Sequence, residues 1–68
     1  MLMRIFVNGQ PKDLRDGTTI AELLGELGVR REYTAVAVNR EVAPRGSYAA
    51  TVLRDGDRVE IVHPMAGG

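Results

Sequence analysis

Alternating apolar and polar residues predict a β-hairpin at the start of the chain. Within residues 3–7 the odd positions are apolar and would point to one side, with Phe6 on the other. Asn8-Gly9 follows, and this pair suits a type I′ turn because both central residues of such a turn need positive φ. Residues 11–16 are expected to return as a second, weaker strand.

A short helix is predicted after the hairpin. Thr19 and Glu22 have the spacing of a capping box, in which each side chain accepts a hydrogen bond from the other residue's backbone amide. Apolar residues then recur at i, i+3, i+4 and i+7 and form one stripe, which comprises Ile20, Leu23, Leu24 and Leu27. Gly28 stands where a left-handed glycine ends a helix. A helix of about two turns depends on packing against a core.

Three more strands are expected in the second half of the chain. Residues 35–39 and 58–63 alternate in the same way as the first strand, and a very short strand is predicted at residues 42–43. The stretch 46–51 fits either one helical turn or a loop, with Tyr48 as its anchor. The order is therefore a hairpin, a helix and three strands.

This order predicts an α+β fold of the ubiquitin-like β-grasp type. A mixed sheet of four to five strands would be covered on one face by the single helix. The helix crossover permits the first and last strands to pair in parallel at the centre. Residues 1–63 would form the domain, and residues 64–68 have no pattern and are expected to form a flexible tail.

Charge and composition exclude several classes of function. Nine Lys and Arg balance nine Asp and Glu, so the basic face that nucleic acid or an anionic membrane requires is not expected. No apolar stretch approaches the roughly 20 residues of a membrane span. The chain has no cysteine, its one histidine is His63, and Ser47 has no evident base partner. We therefore expect a cytoplasmic, monomeric protein that binds no metal and is not itself an enzyme.

The two final glycines suggest where chemistry could occur. A carboxylate at Gly68 is a poor electrophile and needs activation, most simply as an acyl-adenylate. Gly67 and Gly68 lack a Cβ, so an enzyme could grip their backbone in a narrow channel and leave the acyl carbon open to attack. By itself the pair is a weak signal, because a plain interaction domain could end in an incidental tail. Its position after the last strand of a β-grasp domain strengthens the case.

Several stretches of the chain resemble the ThiS family, the sulfur carriers of thiamine biosynthesis. They are residues 5–9 (IFVNG), 19–24 (TIAELL), 37–45 (AVNREVAPR) and 53–62 (LRDGDRVEIV), followed by Gly67-Gly68. The resemblance covers nearly the whole chain. Two departures are Ala43, which is inserted before Pro44, and Tyr48, which stands where the family often has Trp. Neither lies in the tail, so they bear on the subfamily and not on the mechanism.

The resemblance implies a cycle of activation, sulfur loading and delivery. A ThiF-type, E1-like enzyme would adenylate Gly68 with Mg and ATP, which that enzyme consumes and this chain does not bind. A cysteine desulfurase or another persulfide protein would then supply sulfur and leave a thiocarboxylate. A ThiG-type thiazole synthase would receive the sulfur. Met65, Ala66 and Gly67 are expected to be recognised in the partners' grooves.

Three apolar residues are expected on the sheet face away from the helix. Phe6, Ala37 and Val62 would make a small patch on which the partners dock, although scattered surface apolars are also common. Two related functions stay open beside the thiamine pathway. One is the small subunit of molybdopterin synthase, which shares the fold and the tail but is usually longer. The other is a ubiquitin-like modifier that Gly68 joins to lysines.

Overall fold

The computed structural model describes residues 1–62, which contain five strands and one α-helix. In chain order they are β1 (Leu2–Val7), β2 (Gln10–Arg15), α1 (Ile20–Leu27), β3 (Ala35–Val38), β4 (Glu41–Val42) and β5 (Arg58–Val62). Two single-turn 3₁₀ helices, Arg31–Tyr33 and Arg45–Ser47, lie in the connections.

The predicted hairpin is confirmed. β1 and β2 pair antiparallel from Leu2–Arg15 to Val7–Gln10. The two turn residues have φ values of 50° for Asn8 and 84° for Gly9, both positive as a type I′ turn requires. Since this turn has the twist of the strands that it joins, the register of the hairpin follows from it.

The helix begins and ends where the sequence predicts. The backbone amide of Glu22 donates to Thr19 Oγ1 at 3.2 Å, and the amide of Thr19 donates to Glu22 Oε1 at 2.9 Å. Gly28 follows with φ of 71° and ends the helix. The prediction was wrong for Leu27, which is 37% exposed. The chain reverses at Gly28, and Val29 packs against the core at this end of the helix instead.

The second half of the chain differs from the prediction in its short strand. β4 spans Glu41–Val42 and not residues 42–43, because Asn39 and Arg40 both have positive φ and make a tight turn after β3. Val38 therefore pairs directly with Glu41.

Tyr48 is the predicted anchor of the segment 46–51, and only 1% of its surface is exposed. The segment before it contains the second 3₁₀ helix, so it is more regular than a plain loop.

The five strands form one mixed sheet in the order β2-β1-β5-β3-β4. β1 and β5 pair in parallel at the centre, and β3 pairs antiparallel with the other side of β5. One face of this sheet and the helix enclose the core, which consists of Met3, Ile5, Leu14, Ile20, Leu23, Leu24, Val36, Tyr48, Leu53, Val59 and Ile61.

This arrangement is the ubiquitin-like β-grasp fold, as predicted. No helix within residues 1–62 is long and apolar enough to cross a membrane. The predicted boundary between the domain at 1–63 and the tail at 64–68 lies outside the described residues and stays a prediction.

Candidate functional site

The predicted reactive end of the chain lies outside the described residues. Gly68, with its predicted recognition residues Met65, Ala66 and Gly67, belongs to the segment 63–68 that the structure does not describe. Their roles stay predictions. The described part of the site is the strand that leads to this segment and the sheet face around it.

β5 is held on both sides. Phe6 and Val7 of β1 are in parallel register with Arg58 and Val59 of β5. On the other side, β3 pairs with β5 from Val59, opposite Val38, to Val62, opposite Ala35. A central strand with neighbours on both sides has its backbone groups paired and is among the most stable elements of a sheet. The first half of β5 is therefore paired on both sides, and its second half is paired with β3.

The three predicted docking residues lie on the sheet face opposite the helix. Met3 and Ile5 of β1 are buried under the helix, so Phe6 points the other way, with 36% of its surface exposed. By the same alternation Val62 points outward and is 58% exposed. Ala37 is half-buried on this side. We call this surface the open face.

The structure does not bring the three residues into one patch. β5 lies between β1 and β3, so its outward side chains separate Phe6 from the others. Arg58 is the register partner of Phe6, and Glu60 is the partner of Ala37. Two charged residues of β5 therefore separate Phe6 from Ala37, because β5 lies between β1, which carries Phe6, and β3, which carries Ala37.

A second apolar cluster forms instead around the end of β5. Val62 lies opposite Ala35, Ala37 follows two residues further along β3, and Val42 of β4 lies opposite Ala37. Side chains of directly paired residues share a face, so all four lie on the open face. The sequence reasoning missed Val42, which is 72% exposed. A prediction of the two-residue turn at Asn39-Arg40 would have placed Val42 opposite Ala37 on the open face.

A groove of about 560 Å³ lies between Phe6 and the turn at Asn39-Arg40, across the first half of β5. The groove is lined by three charged residues, Arg40, Arg58 and Glu60, and by the uncharged Asn39 and Gly9. Within residues 1–62, neither arginine has a carboxylate within ion-pair distance. The groove therefore offers one aromatic ring beside two guanidinium groups that are free to meet an acidic surface.

The start of β1 is the polar end of the open face. Arg4 lies opposite Asp13, and its Nε donates to Asp13 Oδ1 at 2.9 Å. This hydrogen bond, followed by the charge of the guanidinium, lowers the pKa of the Asp13 carboxyl below its ordinary value. The same contacts raise the pKa of Arg4. Both groups are exposed, so the pair contributes little to stability.

The buried polar side chains of the described residues are hydrogen-bonded locally. Thr18 and Thr34 are the buried polar residues of the part that the structure describes, and each hydroxyl donates to a nearby backbone carbonyl. No buried side-chain polar atom within residues 1–62 lacks a hydrogen-bond partner. The same residues contain no cluster of His, Asp and Glu that could hold a metal ion.

Comparison with known proteins gives a consistent family. The model of the ThiS family matches residues 5–68. The "Sulfur carrier protein ThiS" of Escherichia coli is 35% identical over 97% of this chain and all of its own length. The protein of the same name from Thermus thermophilus is 41% identical and covers 94% of this chain and 98% of its own length.

Two longer relatives are enzymes. The "Thiazole synthase" of Magnetococcus marinus is 44% identical over 97% of this chain, and that of Paramagnetospirillum magneticum is 41% identical over the same share. The chain spans only 20% of the length of either enzyme.

A solved structure gives the same result for the fold. The crystal structure of the thiamine biosynthesis protein ThiS from Geobacter metallireducens superimposes with a TM-score of 0.84 at 39% identity. The match covers 97% of this chain and all of that one.

Proposed function

Because the chain belongs to the ThiS family, we propose that it is a sulfur carrier of thiamine biosynthesis that holds sulfur as a thiocarboxylate on Gly68. The observation that carries this proposal is the family match, which runs from residue 5 through Gly67 and Gly68. The position of β5 supports it, since that strand ends at Val62, six residues before Gly68.

The chemistry proceeds in three steps on the carboxyl group of Gly68. One carboxylate oxygen attacks the α-phosphate of ATP, which gives the acyl-adenylate and pyrophosphate. The terminal sulfur of a partner's persulfide then attacks the acyl carbon, and AMP leaves. A thiol cleaves the resulting S–S bond, so the chain keeps one sulfur as the thiocarboxylate and a disulfide forms on the partner side. All thiols come from partners, since this chain has no cysteine.

Three partners follow from this cycle. A ThiF-type activating enzyme supplies the adenylation site and uses Mg and ATP. A cysteine desulfurase or another persulfide protein supplies the sulfur. A thiazole synthase receives it, and this last partnership is supported by the two thiazole synthases that match 97% of this chain within a longer protein. The chain acts as a co-substrate and the partners supply the catalytic groups.

The open face is the proposed docking surface for these partners. Val62 and Ala37, with Ala35 and Val42, present an apolar cluster beside the root of the tail. Phe6 adds a separate contact across Arg58 and Glu60. Apolar contacts would give affinity and the charged residues between them would fix the orientation.

Intact-mass spectrometry tests the proposal. The chain is incubated with ATP, Mg, an E1-like enzyme that loads the Escherichia coli carrier, and a sulfide source. We expect an adenylate and then a mass increase equal to the replacement of one oxygen by sulfur. The matched control is the chain without Gly68, which should stay unchanged.

Other outcomes separate the rival functions. If neither adenylate nor thiocarboxylate forms with this competent enzyme, the carrier proposal is wrong. Ladders of conjugates on lysines in cells would favour a ubiquitin-like modifier. Sulfur transfer to the large subunit of molybdopterin synthase, with none to thiazole synthase, would favour the molybdopterin pathway.

A further inference from the structure

We infer that Asn8 is a positioning residue for sulfur delivery, because its side-chain amide holds Ile61 and thereby sets the point from which residues 63–68 continue. The inference rests on the proposed carrier function. It concerns a residue of the first turn that acts at the far end of the chain, 53 positions away.

The Asn8 amide takes the place of one peptide unit of a strand. β1 and β5 run parallel, and the backbone amide of Asn8 donates to Val59 O at 2.8 Å. A regular parallel ladder would continue two residues later, at Ile61. There the side chain of Asn8 takes over, since its Oδ1 accepts from Ile61 N at 2.9 Å and its Nδ2 donates to Ile61 O at 3.2 Å.

This amide is the last connection between the first turn and β5. The backbone register of β1 and β5 is limited to Phe6–Arg58 and Val7–Val59, because the chain turns away at Asn8. Within residues 1–62, Ile61 therefore bonds on this side only to the Asn8 side chain. On the other side of β5, the pairing with β3 extends as far as Ala35, which lies opposite Val62. Without the amide, the end of β5 would be held from one side.

The turn alone would accept either asparagine or glycine at position 8. The φ of 50° at Asn8 is left-handed, and glycine adopts such values without steric cost, as Gly9 does next to it at 84°. What asparagine adds over glycine is the pair of hydrogen bonds to Ile61. Asn39 is the natural comparison, since it has a φ of 52° in the second turn and also bonds to β5.

Asn39 holds the opposite end of the same strand. Its Oδ1 accepts from Arg58 N at 3.0 Å, and its Nδ2 donates to Asp57 Oδ1 at 3.0 Å. Arg58 is the first residue of β5, whereas Ile61 is its last but one. The two asparagines thus provide a matched pair: both stabilise β5, but only Asn8 acts beside the tail.

The position of the tail root matters because Gly68 must reach a site inside a partner. From Ile61 to Gly68 the chain spans at most about 25 Å when extended. Releasing two residues of β5 would add up to about 7 Å of slack. Slack lowers the effective concentration of the carboxyl group at the partner's site, and small misplacements of a reacting group reduce the rate strongly.

Hydrogen exchange of Ile61 tests the clamp without any partner. We expect Asn8→Gly to speed exchange of the Ile61 amide roughly five- to a hundredfold, which corresponds to the loss of its hydrogen bonds. Asn39→Gly should speed exchange at Arg58 and leave Ile61 nearly unchanged. If Asn8→Gly leaves the Ile61 amide as protected as in the unmodified chain, the clamp is wrong.

Activation kinetics test the positioning role. With the activating enzyme, and under conditions where both variants are folded, Asn8→Gly should lower kcat about three- to tenfold. KM should change by a smaller factor than kcat, because of the four residues of the apolar cluster only Val62 lies in the released end of β5. Asn39→Gly should leave kcat near that of the unmodified chain; its KM is not used as a control, because Asn39 lines the groove beside Arg40 and Arg58.

The two claims can fail separately. Equal kcat for the Asn8→Gly variant and the unmodified chain, despite faster Ile61 exchange, would overturn the positioning role and leave the carrier function intact. If the unmodified chain is never adenylated, the carrier function fails, while the exchange experiment still decides whether Asn8 holds Ile61.

Discussion

The two faces of the sheet use the same strands for opposite purposes. On the covered face, Ile5, Val59 and Leu23 of the helix are almost completely buried. On the open face of the same strands, Phe6 and Val62 remain exposed. Within residues 1–62 a single α-helix covers one face of the sheet, so the other face stays exposed.

The difference shows how the stability of so small a domain is separated from the recognition role that we propose for its open face. Alternation along each strand assigns neighbouring residues to opposite faces. Burial on the covered face provides most of the free energy of folding, since each large apolar side chain contributes about 1.5–3 kcal/mol when buried. The open face contributes little and can therefore vary with the partner. Substitutions on the two faces should differ accordingly.

The largest effect is expected on the covered face. Leu23→Ala removes a fully buried side chain between helix and sheet and should lower the free energy of unfolding by about 2–5 kcal/mol. Leu27→Ala is the matched control on the same helix, where the side chain is 37% exposed, and should cost less than about 1 kcal/mol. Urea unfolding measures both. Equal losses would contradict the assignment of Leu27 to the surface.

A charge on the open face should separate stability from recognition. Val62→Lys should change the free energy of unfolding by no more than about 0.5 kcal/mol, because the side chain is already exposed. Affinity for the activating enzyme should nevertheless fall about tenfold, since a lysine would be desolvated in the interface. Isothermal titration calorimetry, or surface plasmon resonance with immobilised enzyme, measures the affinity.

Leu2→Lys is the control for that substitution. Leu2 lies on the same face at the start of β1, about 26 Å from Val62 along the strands, and should bind normally. Equal loss of affinity in both variants would mean that the whole open face docks. No loss in either would exclude the apolar cluster as the docking surface.

The smallest effect concerns the polar end of the open face. Because Arg4 lowers the pKa of Asp13 in the folded state, the pair stabilises the fold above the carboxyl's ordinary range, about pH 4. This contribution should disappear as pH falls through the lowered pKa of the folded protein. Asp13→Asn should remove that part of the acid dependence, and NMR titration of the Asp13 carboxyl measures the shift. A titration at the ordinary value would contradict the ion pair.

Much of the fold was predictable because its signals are local. Asn8-Gly9 favours a turn whose two central residues have positive φ. Thr19 and Glu22 lie three positions apart and specify the first turn of the helix. Gly28 specifies its end. Such signals depend on backbone conformation and not on distant packing, so the sequence displays them directly. The parallel pairing of the first and last strands then followed from the single crossover helix.

The open face was harder to predict because it depends on strand order and register. Phe6 and Ala37 both point outward, yet Arg58 and Glu60 separate them once β5 lies between β1 and β3. Val42 was missed since its place depends on a turn at Asn39-Arg40 in which an arginine adopts a φ of 70°. Arginine seldom does so, and no local pattern announces it.

The contact between Asn8 and Ile61 could not be predicted from the sequence at all. The two residues are 53 positions apart, and Asn8 already had a sufficient local explanation in its turn. Long-range hydrogen bonds of this kind appear only once the register of the parallel pair is known.

The most direct test of the account follows sulfur from the chain to its acceptor. The chain is loaded at Gly68 with isotopically labelled sulfur and mixed with thiazole synthase and that enzyme's other substrates. The account predicts that the label appears in the thiazole product as the chain returns to its carboxylate mass. Label that stays on the chain, or product that forms equally well with a chain lacking Gly68, would contradict it.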